Sequence, residues 1–236
     1  MKRITIATRK SRLALWQTEH CAERLRAAHP GLEIDLLPLS TRGDEVLDRS
    51  LAEIGGKGLF LKELETALLD GRADVAVHSL KDMPAEQPEG LAVTAFLPRA
   101  NPCDLWISHD GTPLEALPAG SRVGSSSLRR VSQILARRRD LELVPLRGNV
   151  ETRLKAVAQR KVDATLLAAA GLERLGIVPD TARAMPVPAW LPAPGQGIIA
   201  VQQRADDGEW QQATLLLADA VRDVEERLAD ARRRAQ

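Results

Sequence analysis

The sequence predicts an α/β protein with two domains, each built on a mainly parallel sheet flanked by helices. Short apolar runs alternate with segments whose apolar residues recur at helical spacing, a pattern typical of parallel strands joined by crossover helices. Two proline-rich segments interrupt this alternation and indicate two crossings between the domains. With 236 residues, of which 44% are hydrophobic, the chain is long enough for two domains of ordinary size.

The alternation predicts the following elements along the chain. The strands are short aliphatic runs at Ile4–Thr8, Ile34–Pro38, Asp74–His78, Leu91–Phe96, Arg122–Gly124, Leu141–Leu146, Ala164–Ala168 and Ile198–Gln203. The helices have apolar residues three or four positions apart, at Leu13–Ala28, Leu59–Leu69, Val131–Ala136, Val150–Ala158, Leu172–Leu175 and in the charged tail 206–236. The polar, glycine-bearing stretch Ser40–Lys57 has neither period, which favours a mobile loop or lid, or equally a simple surface excursion.

The two proline-rich segments divide the chain into a discontinuous first domain and a continuous second domain. We place the crossings at residues 99–102 and 192–197. The first domain then contains residues 1–98 and 198–236, and the second contains residues 103–191. This layout predicts a ligand cleft between the domains with paired hinges, as in periplasmic-binding-protein-like folds, a likeness of fold alone.

Composition excludes several classes of function. The net charge is only +1, aromatic residues make up 3% of the chain and tyrosine is absent, so a nucleic-acid interface is not expected. No apolar run reaches membrane-spanning length, and the N-terminus enters a strand directly without a signal peptide. Two cysteines without metal-ligand spacing predict no metal site and a reduced, cytoplasmic protein.

Hydroxyl and guanidinium groups follow three of the predicted strands. Arg9 and Ser11 follow the first strand, Ser125 to Arg130 follow another, and Arg147 follows a third, six residues before Arg153. A helix N-terminus favours anions, and serines and arginines add charge-assisted hydrogen bonds to carboxylate or phosphate. The pattern therefore predicts a ligand that carries several negative charges.

One carboxylate follows the strand Asp74–His78. Asp82, beside Lys81 and before Pro84, could accept a hydrogen bond from a ligand N–H, stabilise a developing cation and move a proton. An ordinary surface turn explains the same residues. His78 at the strand end suits either the core or the site.

Lys57 and the two cysteines are weaker candidates. Lys57 lies among glycines but lacks the spacing of a phosphate-binding loop. Cys21 falls on the first helix, which favours a small buried residue. Cys103 in the first crossing would need a lowered pKa to act as a nucleophile.

Taken together, these segments resemble the hydroxymethylbilane synthase (porphobilinogen deaminase) family. The matching motifs run in order from about Arg3 to Arg204: Ala7-Thr8-Arg9-Lys10-Ser11, Leu13-Ala14-Leu15-Trp16-Gln17, Thr41-Arg42-Gly43-Asp44, Gly55-Gly56-Lys57-Gly58-Leu59-Phe60, His78-Ser79-Leu80-Lys81-Asp82, Gly124 to Arg130, Leu146-Arg147-Gly148-Asn149-Val150 and Pro194-Gly195-Gln196-Gly197. A chance agreement of so many ordered motifs is very improbable.

The resemblance implies a transferase that joins porphobilinogens head to tail into a linear tetrapyrrole, releasing ammonia, on a covalently held dipyrromethane. Asp82 would be the catalytic carboxylate beside Lys81, bonding pyrrole N–H groups and stabilising an azafulvene-like cation. Each pyrrole carries an acetate and a propionate, which would be held by Arg9, Ser11, Lys81, Ser125, Ser127, Arg129, Arg130, Arg147, Arg153 and Arg174. The matched motifs add Lys57, Ser79, Ser126 and Gln196 to the substrate- and cofactor-binding candidates.

The resemblance also implies a third domain whose cysteine anchors the dipyrromethane. This sequence contains no Gly-Gly-Cys segment, and neither Cys21 nor Cys103 matches the anchor position. One hypothesis is a short transferase, with an untethered primer or with a separate chain that supplies the third domain. The others are a non-catalytic binder of pyrroles or polycarboxylates, and a truncated or engineered form without an independent role.

Overall fold

The computed structural model describes residues 3–41, 61–215 and 217. Lys57 and all but the first two residues of the stretch Ser40–Lys57 lie outside these residues, as does most of the predicted tail helix. None of the helices in the described part is long and apolar enough to cross a membrane.

The described residues form ten strands and six α-helices. The strands are β1 (Arg3–Arg9), β2 (Glu33–Leu39), β3 (Val75–Ser79), β4 (Leu91–Phe96), β5 (Asp104–Ser108), β6 (Arg122–Gly124), β7 (Glu142–Val144), β8 (Ala164–Ala168), β9 (Arg183–Met185) and β10 (Ile199–Arg204). The helices are α1 (Arg12–Ala28), α2 (Lys62–Leu69), α3 (Leu128–Leu135), α4 (Val150–Ala158), α5 (Ala169–Leu175) and α6 (Gly208–Leu215). Single 3-10 turns lie at Leu80–Asp82 and Leu114–Ala116.

The chain divides into two compact units. The first contains the described residues up to Thr41, those from Leu61 to Ala100 and those from Ile198 onward, and the described residues of the second run from Asn101 to Gly197. Each unit is built on one five-stranded sheet, in the order β2-β1-β3-β10-β4 for the first and β7-β6-β8-β5-β9 for the second.

The two sheets have the same arrangement of strand directions. In the first sheet β1 is parallel to β2 and β3, whereas β10 is antiparallel to β3 and β4. In the second sheet β6 is parallel to β7 and β8, whereas β5 is antiparallel to β8 and β9. Each sheet is therefore mainly parallel, as predicted, with one reversed strand in its fourth position.

Helices cover both faces of each sheet. In the first unit, Cys21 and Leu25 of α1 pack with Val75 and Val77 on one face, and Leu64 of α2 packs on the other face. In the second unit, Ile134 of α3 shares a core cluster with Trp106 and Trp190, while α4 and α5 pack against the opposite face. Full burial of each large apolar side chain contributes about 1.5–3 kcal/mol, so these layers stabilise the two sheets.

Strands β5 and β9 are absent from the predicted set. The run Asp104–Ser108 is buried throughout, so it lacks the alternation of a half-buried strand, and its apolar centre is only Leu105 to Ile107. Strand β9 has three residues, and two of them are exposed. The other predicted strands are present, and the bounds of Leu91–Phe96, Arg122–Gly124 and Ala164–Ala168 are those predicted.

The last residue of β6 has no room for a side chain. A Cβ on Gly124 would lie 2.6 Å from Leu146 Cδ2 and 3.1 Å from Val162 Cγ1. We expect Gly124→Ala to lower the free energy of unfolding by about 1–3 kcal/mol, since overpacked cores lose that much.

Urea unfolding monitored by circular dichroism measures this loss. Gly208→Ala is the matched control, because a Cβ on Gly208 meets no atom within 4 Å. An unfolding free energy for Gly124→Ala equal to that of the unsubstituted chain would contradict the close approach.

Candidate functional site

The carboxyl edge of the first sheet carries a cluster of polar residues. Because β1 and β3 are parallel neighbours, Arg9 and Ser79 end their strands at the same edge. Ser11 follows β1 and caps helix α1, its Oγ accepting a hydrogen bond from Ala14 N at 3.3 Å. Ser79 Oγ accepts from Gln17 Nε2 at 2.9 Å, which fixes the end of β3 against α1.

Asp82 closes the 3-10 turn that follows β3. Leu80 N donates to Ile198 O at 3.0 Å, and Met83 N donates to Leu80 O at 3.1 Å, so backbone bonds hold both ends of the turn. Met83 is buried, whereas Lys81 and Asp82 are half-buried. Within the described part of the chain, no hydrogen bond or ion pair engages the Asp82 carboxylate, which is therefore able to accept from a ligand.

His78 is buried and belongs to a hydrogen-bonded chain with the side chains of Gln202 and Gln87. Gln87 Nε2 donates to Pro84 O at 2.9 Å, which fixes the orientation of the Gln87 amide. Its other atom, Oε1, therefore faces Gln202 and accepts from Gln202 Nε2 at 3.0 Å. Gln202 Oε1 must then accept from His78 Nε2, 3.0 Å away, and the network thereby assigns the proton to Nε2. Burial lowers the pKa of His78 to about 4, the Gln202 hydrogen bond opposes this shift, and the Arg9 charge adds to it. His78 is thus a neutral core residue.

The carboxyl edge of the second sheet carries the three serines. Ser125 N donates to Val144 O at 2.9 Å, and Ser125 Oγ accepts from Ser127 N at 3.2 Å. Ser126 Oγ donates to Leu146 O at 3.3 Å. Ser127 is the N-cap residue of helix α3, yet its hydroxyl makes no capping bond. The turn is therefore held by backbone and by Ser125 and Ser126.

Arg129 and Arg130 both bind a carboxylate of this chain. Arg130 Nη2 donates to Asp104 Oδ1 at 2.6 Å, and Arg129 Nη1 donates to Asp104 Oδ2 at 2.8 Å. Arg130 Nη1 also donates to Leu166 O at 2.9 Å. Arg130 is buried, whereas 23% of the Arg129 side chain is exposed, so only Arg129 combines the pairing with access to a ligand.

Asp104 was not among the predicted site residues, and it has no exposed surface. Burial alone raises the pKa of its carboxyl, but hydrogen bonds from Arg130, Arg129 and Trp190, with the Arg130 charge, hold that pKa well below its usual range. An acidic residue that begins the apolar run Leu105 to Ile107 is the sequence signal for such a group, because a buried carboxylate needs a counter-charge.

The three other predicted arginines of the second unit follow β7, lie on α4 and lie on α5. Arg147 precedes the N-cap residue Asn149, whose Oδ1 accepts from Thr152 N at 2.8 Å. Arg153 lies on α4 and its Nε donates to Gly148 O at 3.0 Å. Arg174 Nη2, from α5, donates to Gly197 O at 2.8 Å. All three residues are half-buried.

Gln196 and the two cysteines complete the predicted set. Gln196 is buried and its Nε2 donates to Pro102 O at 2.6 Å and to Asp104 Oδ1 at 3.0 Å. Cys21 is buried in the core of the first unit, and Cys103 is half-buried beside Asp104. Apart from Cys21, Arg174 and Lys57, which lies outside the described residues, the predicted residues thus form two groups, one towards the carboxyl edge of each sheet.

The fold is that of a class of two-domain α/β proteins. The arginine-specific periplasmic binding protein of Salmonella typhimurium aligns over 92% of this chain and 92% of its own, with 9% identity and a TM-score of 0.53. The effector-binding domain of a BenM variant aligns over 92% of this chain and 93% of its own, with 16% identity and a TM-score of 0.53. These likenesses concern the fold.

Within this class, residues 4–212 match the model of the family "Porphobilinogen deaminase, dipyromethane cofactor binding domain". Porphobilinogen deaminase of Xanthomonas axonopodis pv. citri (strain 306) is 58% identical over 207 residues, covering 88% of this chain and 68% of the relative. That of Stenotrophomonas maltophilia (strain R551-3) is 59% identical over 202 residues, covering 86% and 67%. The chain belongs to the porphobilinogen deaminase family and is a hydroxymethylbilane synthase-type transferase of tetrapyrrole biosynthesis.

Each edge, taken by itself, carries groups whose chemistry suits part of the dipyrromethane cofactor. Its acetate and propionate groups need cationic and hydroxyl donors, which Arg129, Ser127 and the half-buried arginines offer at strand ends. Its pyrrole N–H groups need an acceptor, and the Asp82 carboxylate is held on a fixed turn without a partner in the described part of the chain. These donors and this acceptor are of the kinds that the dipyrromethane cofactor named by the family model requires.

The buried state of His78 makes stability depend on pH. Its pKa of about 4 lies below the unfolded value of 6.5, so protons bind the unfolded chain preferentially. This contribution to stability is complete above pH 6.5, and it is lost progressively as the pH falls towards 4, by about 3 kcal/mol in total.

We expect His78→Gln, which keeps a donor for Gln202 Oε1 but does not titrate, to lose this part of the pH dependence. Urea unfolding of both chains between pH 7.5 and 4.5 isolates the His78 contribution, because all other titrating groups are shared. Parallel pH profiles for the two chains would show that His78 is not buried in its neutral form.

Proposed function

We propose that the two polar edges hold the carboxylates of porphobilinogen and of the dipyrromethane cofactor, and that Asp82 is the catalytic carboxylate. The observation that carries the proposal is the state of Asp82: half-buried, fixed on the turn after β3 and, in the described part of the chain, bonded to no other residue. A carboxylate kept in this state is available for a pyrrole N–H and for a developing positive charge.

Asp82 would act in two ways during condensation. Its carboxylate accepts a hydrogen bond from a pyrrole N–H, which orients the ring, and its negative charge stabilises the cation that develops as the amine leaves. Lys81, beside it on the same turn, contributes a positive charge for a substrate carboxylate. When bound, the dipyrromethane supplies the pyrrole end to which the substrate is joined.

The other candidates would bind the acetate and propionate side chains. Ser11, Ser127 and Asn149 stand at the starts of α1, α3 and α4, where free backbone N–H groups favour anions. In the proposal the arginines around these helix starts, and Ser79, Ser125, Ser126 and Gln196, bind or orient the same groups. The arginines around these helix starts are Arg9, Arg129, Arg147 and Arg153, to which α5 adds Arg174, while Arg130 acts from the interior.

The proposal includes a location and a partner. Cys21 and Cys103 form no disulfide in the described part of the chain, which is typical of a reducing compartment and supports a cytoplasmic protein. The thiol of Cys21 is enclosed in the core of the first unit, which keeps it from a ligand. That a separate chain supplies the cysteine that anchors the cofactor stays a prediction.

We expect Asp82→Asn to lower kcat for porphobilinogen consumption by about 100-fold or more, the range of a lost acid–base or charged group. The dissociation constant of porphobilinogen should change far less, because the amide oxygen still accepts from the pyrrole N–H. Turnover is followed by porphobilinogen loss and linear tetrapyrrole formation, and binding by calorimetry.

Asp70→Asn is the matched control, since Asp70 is an exposed carboxylate of the same unit that pairs only loosely with Arg72 at 3.6 Å. Unchanged kcat in Asp82→Asn would remove Asp82 from the mechanism. Binding without any turnover in the unsubstituted chain would instead favour the non-catalytic binder of pyrroles.

We expect Arg129→Leu to weaken porphobilinogen binding by about tenfold or more, because a hydrogen bond to a charged group contributes about 1.5–3 kcal/mol. Arg139→Leu, which removes an exposed arginine just beyond the same helix, is the control for the loss of one positive charge. Equal calorimetric affinities for the two variants would mean that Arg129 does not touch the ligand.

A further inference from the structure

We propose that Asp104 is a positioning residue for carboxylate recognition and that it acts through Arg129. The inference rests on the proposed role of Arg129 in binding ligand carboxylates. It assigns to Asp104 the task of orienting one guanidinium group so that a defined edge of that group meets the ligand.

Asp104 stands where several segments of the second unit meet. It is the first residue of β5 and lies opposite Ala168 and Met185, the last residues of β8 and β9, which places it at the carboxyl edge of the sheet. Oδ1 accepts from Arg130 Nη2 and Gln196 Nε2, at 2.6 and 3.0 Å. Oδ2 accepts from Arg129 Nη1 at 2.8 Å, Trp190 Nε1 at 2.9 Å and Arg130 Nε at 3.2 Å.

The two arginines use their donors differently. Every nitrogen of the Arg130 guanidinium bonds to Asp104 or to Leu166 O, and 7% of its side chain is exposed. Among the residues that the structure describes, the Arg129 guanidinium bonds only through Nη1, whose two hydrogens go to Asp104 Oδ2 and to Leu191 O. In the part of the chain that the structure describes, Arg129 Nε and Nη2 have no acceptor.

The free edge of Arg129 has the geometry that a carboxylate needs. The Nε–H and one Nη2–H of a guanidinium point in parallel, so they bind both oxygens of a carboxylate at once. With Nη1 held at two points, the plane of the group is fixed and this edge is directed away from Asp104. The same carboxylate also offsets the repulsion between two adjacent guanidinium groups.

The second acceptor of Arg129 is itself fixed. Gln133, one turn further along α3, donates to Leu191 O at 3.0 Å and accepts from Leu191 N at 2.7 Å. Trp190 beside it is 1% exposed and belongs to the core cluster of α3. Arg129 is thus supported from β5 and from the segment that leads out of the unit.

The experiment combines two substitutions in a double-mutant cycle. Porphobilinogen is titrated calorimetrically into the full chain and into Asp104→Asn, Arg129→Leu and the double variant. We expect Asp104→Asn to weaken binding by about tenfold, the scale of one charge-assisted hydrogen bond, and to have no further effect once Arg129 is leucine. In turnover, KM should rise with little change in kcat, whereas a purely structural loss would lower the active fraction and leave KM unchanged.

Asp140→Asn is the matched control, because Asp140 pairs with Arg138 at 2.6 Å in the same unit and touches neither Arg129 nor Asp104. Unchanged affinity in Arg129→Leu would defeat the proposed role of Arg129 itself. Weaker binding in Arg129→Leu combined with unchanged binding in Asp104→Asn, or additive losses in the double variant, would overturn the role of Asp104 alone.

If Asp104→Asn does not fold, a second measurement tests whether Arg129, and not Arg130, meets the ligand. In the unsubstituted chain labelled with ¹⁵N, the Nε–H resonance of Arg129 should shift on addition of porphobilinogen, while that of Arg130 should not. Arg129→Lys assigns the first signal by its loss. Equal shifts of both resonances, or a shift of Arg130 alone, would overturn the proposal that Asp104 presents Arg129, and not Arg130, to the ligand.

Discussion

The second unit depends on one buried carboxylate. Asp104 has no exposed surface, and such a group is tolerated only when it is paired and hydrogen-bonded. Arg129 and Arg130 meet this requirement, and Trp190 and Gln196 complete it. These donors come from α3 and from the segment before β10. The Asp104 carboxylate therefore fixes the start of β5, the turn that precedes α3 and the segment that leads to β10. Loss of one partner from such a group costs about 3–5 kcal/mol.

Asp82 and Asp104 carry the same side chain, but their surroundings suit Asp82 to ligand binding and Asp104 to structural support. Asp104 accepts five hydrogen bonds within its own unit, so no capacity is left for a ligand. Asp82 is held by backbone bonds at Leu80 and Met83 and keeps its carboxylate free of partners in the described part of the chain. Rigid backbone with an uncommitted side chain is the arrangement that preorganised sites require.

The periodicity of apolar residues predicts most of the strands and helices, because burial on one face of a strand or helix leaves a regular spacing in the sequence. The serines and arginines were visible for the same reason, since they follow strands whose ends are predictable. Partners separated by 25 to 92 residues, such as those of Asp104, leave no local trace, so Arg130 and Gln196 could not be recognised as interior residues. The direction of β5 and β10 was equally hidden, because apolar periodicity is the same in parallel and antiparallel strands.

The hydrogen bonds of Gln196 to Pro102 and Asp104 close the second unit at its own ends. Among the described residues, that unit is one stretch, residues 101–197, with these bonds close to both of its ends, and in sequence it lies between β4 and β10. A module with adjacent ends is the kind that can be inserted into a host without stretching it. A short linker between β4 and β10 could therefore replace the second unit and leave the pairing of these two strands intact.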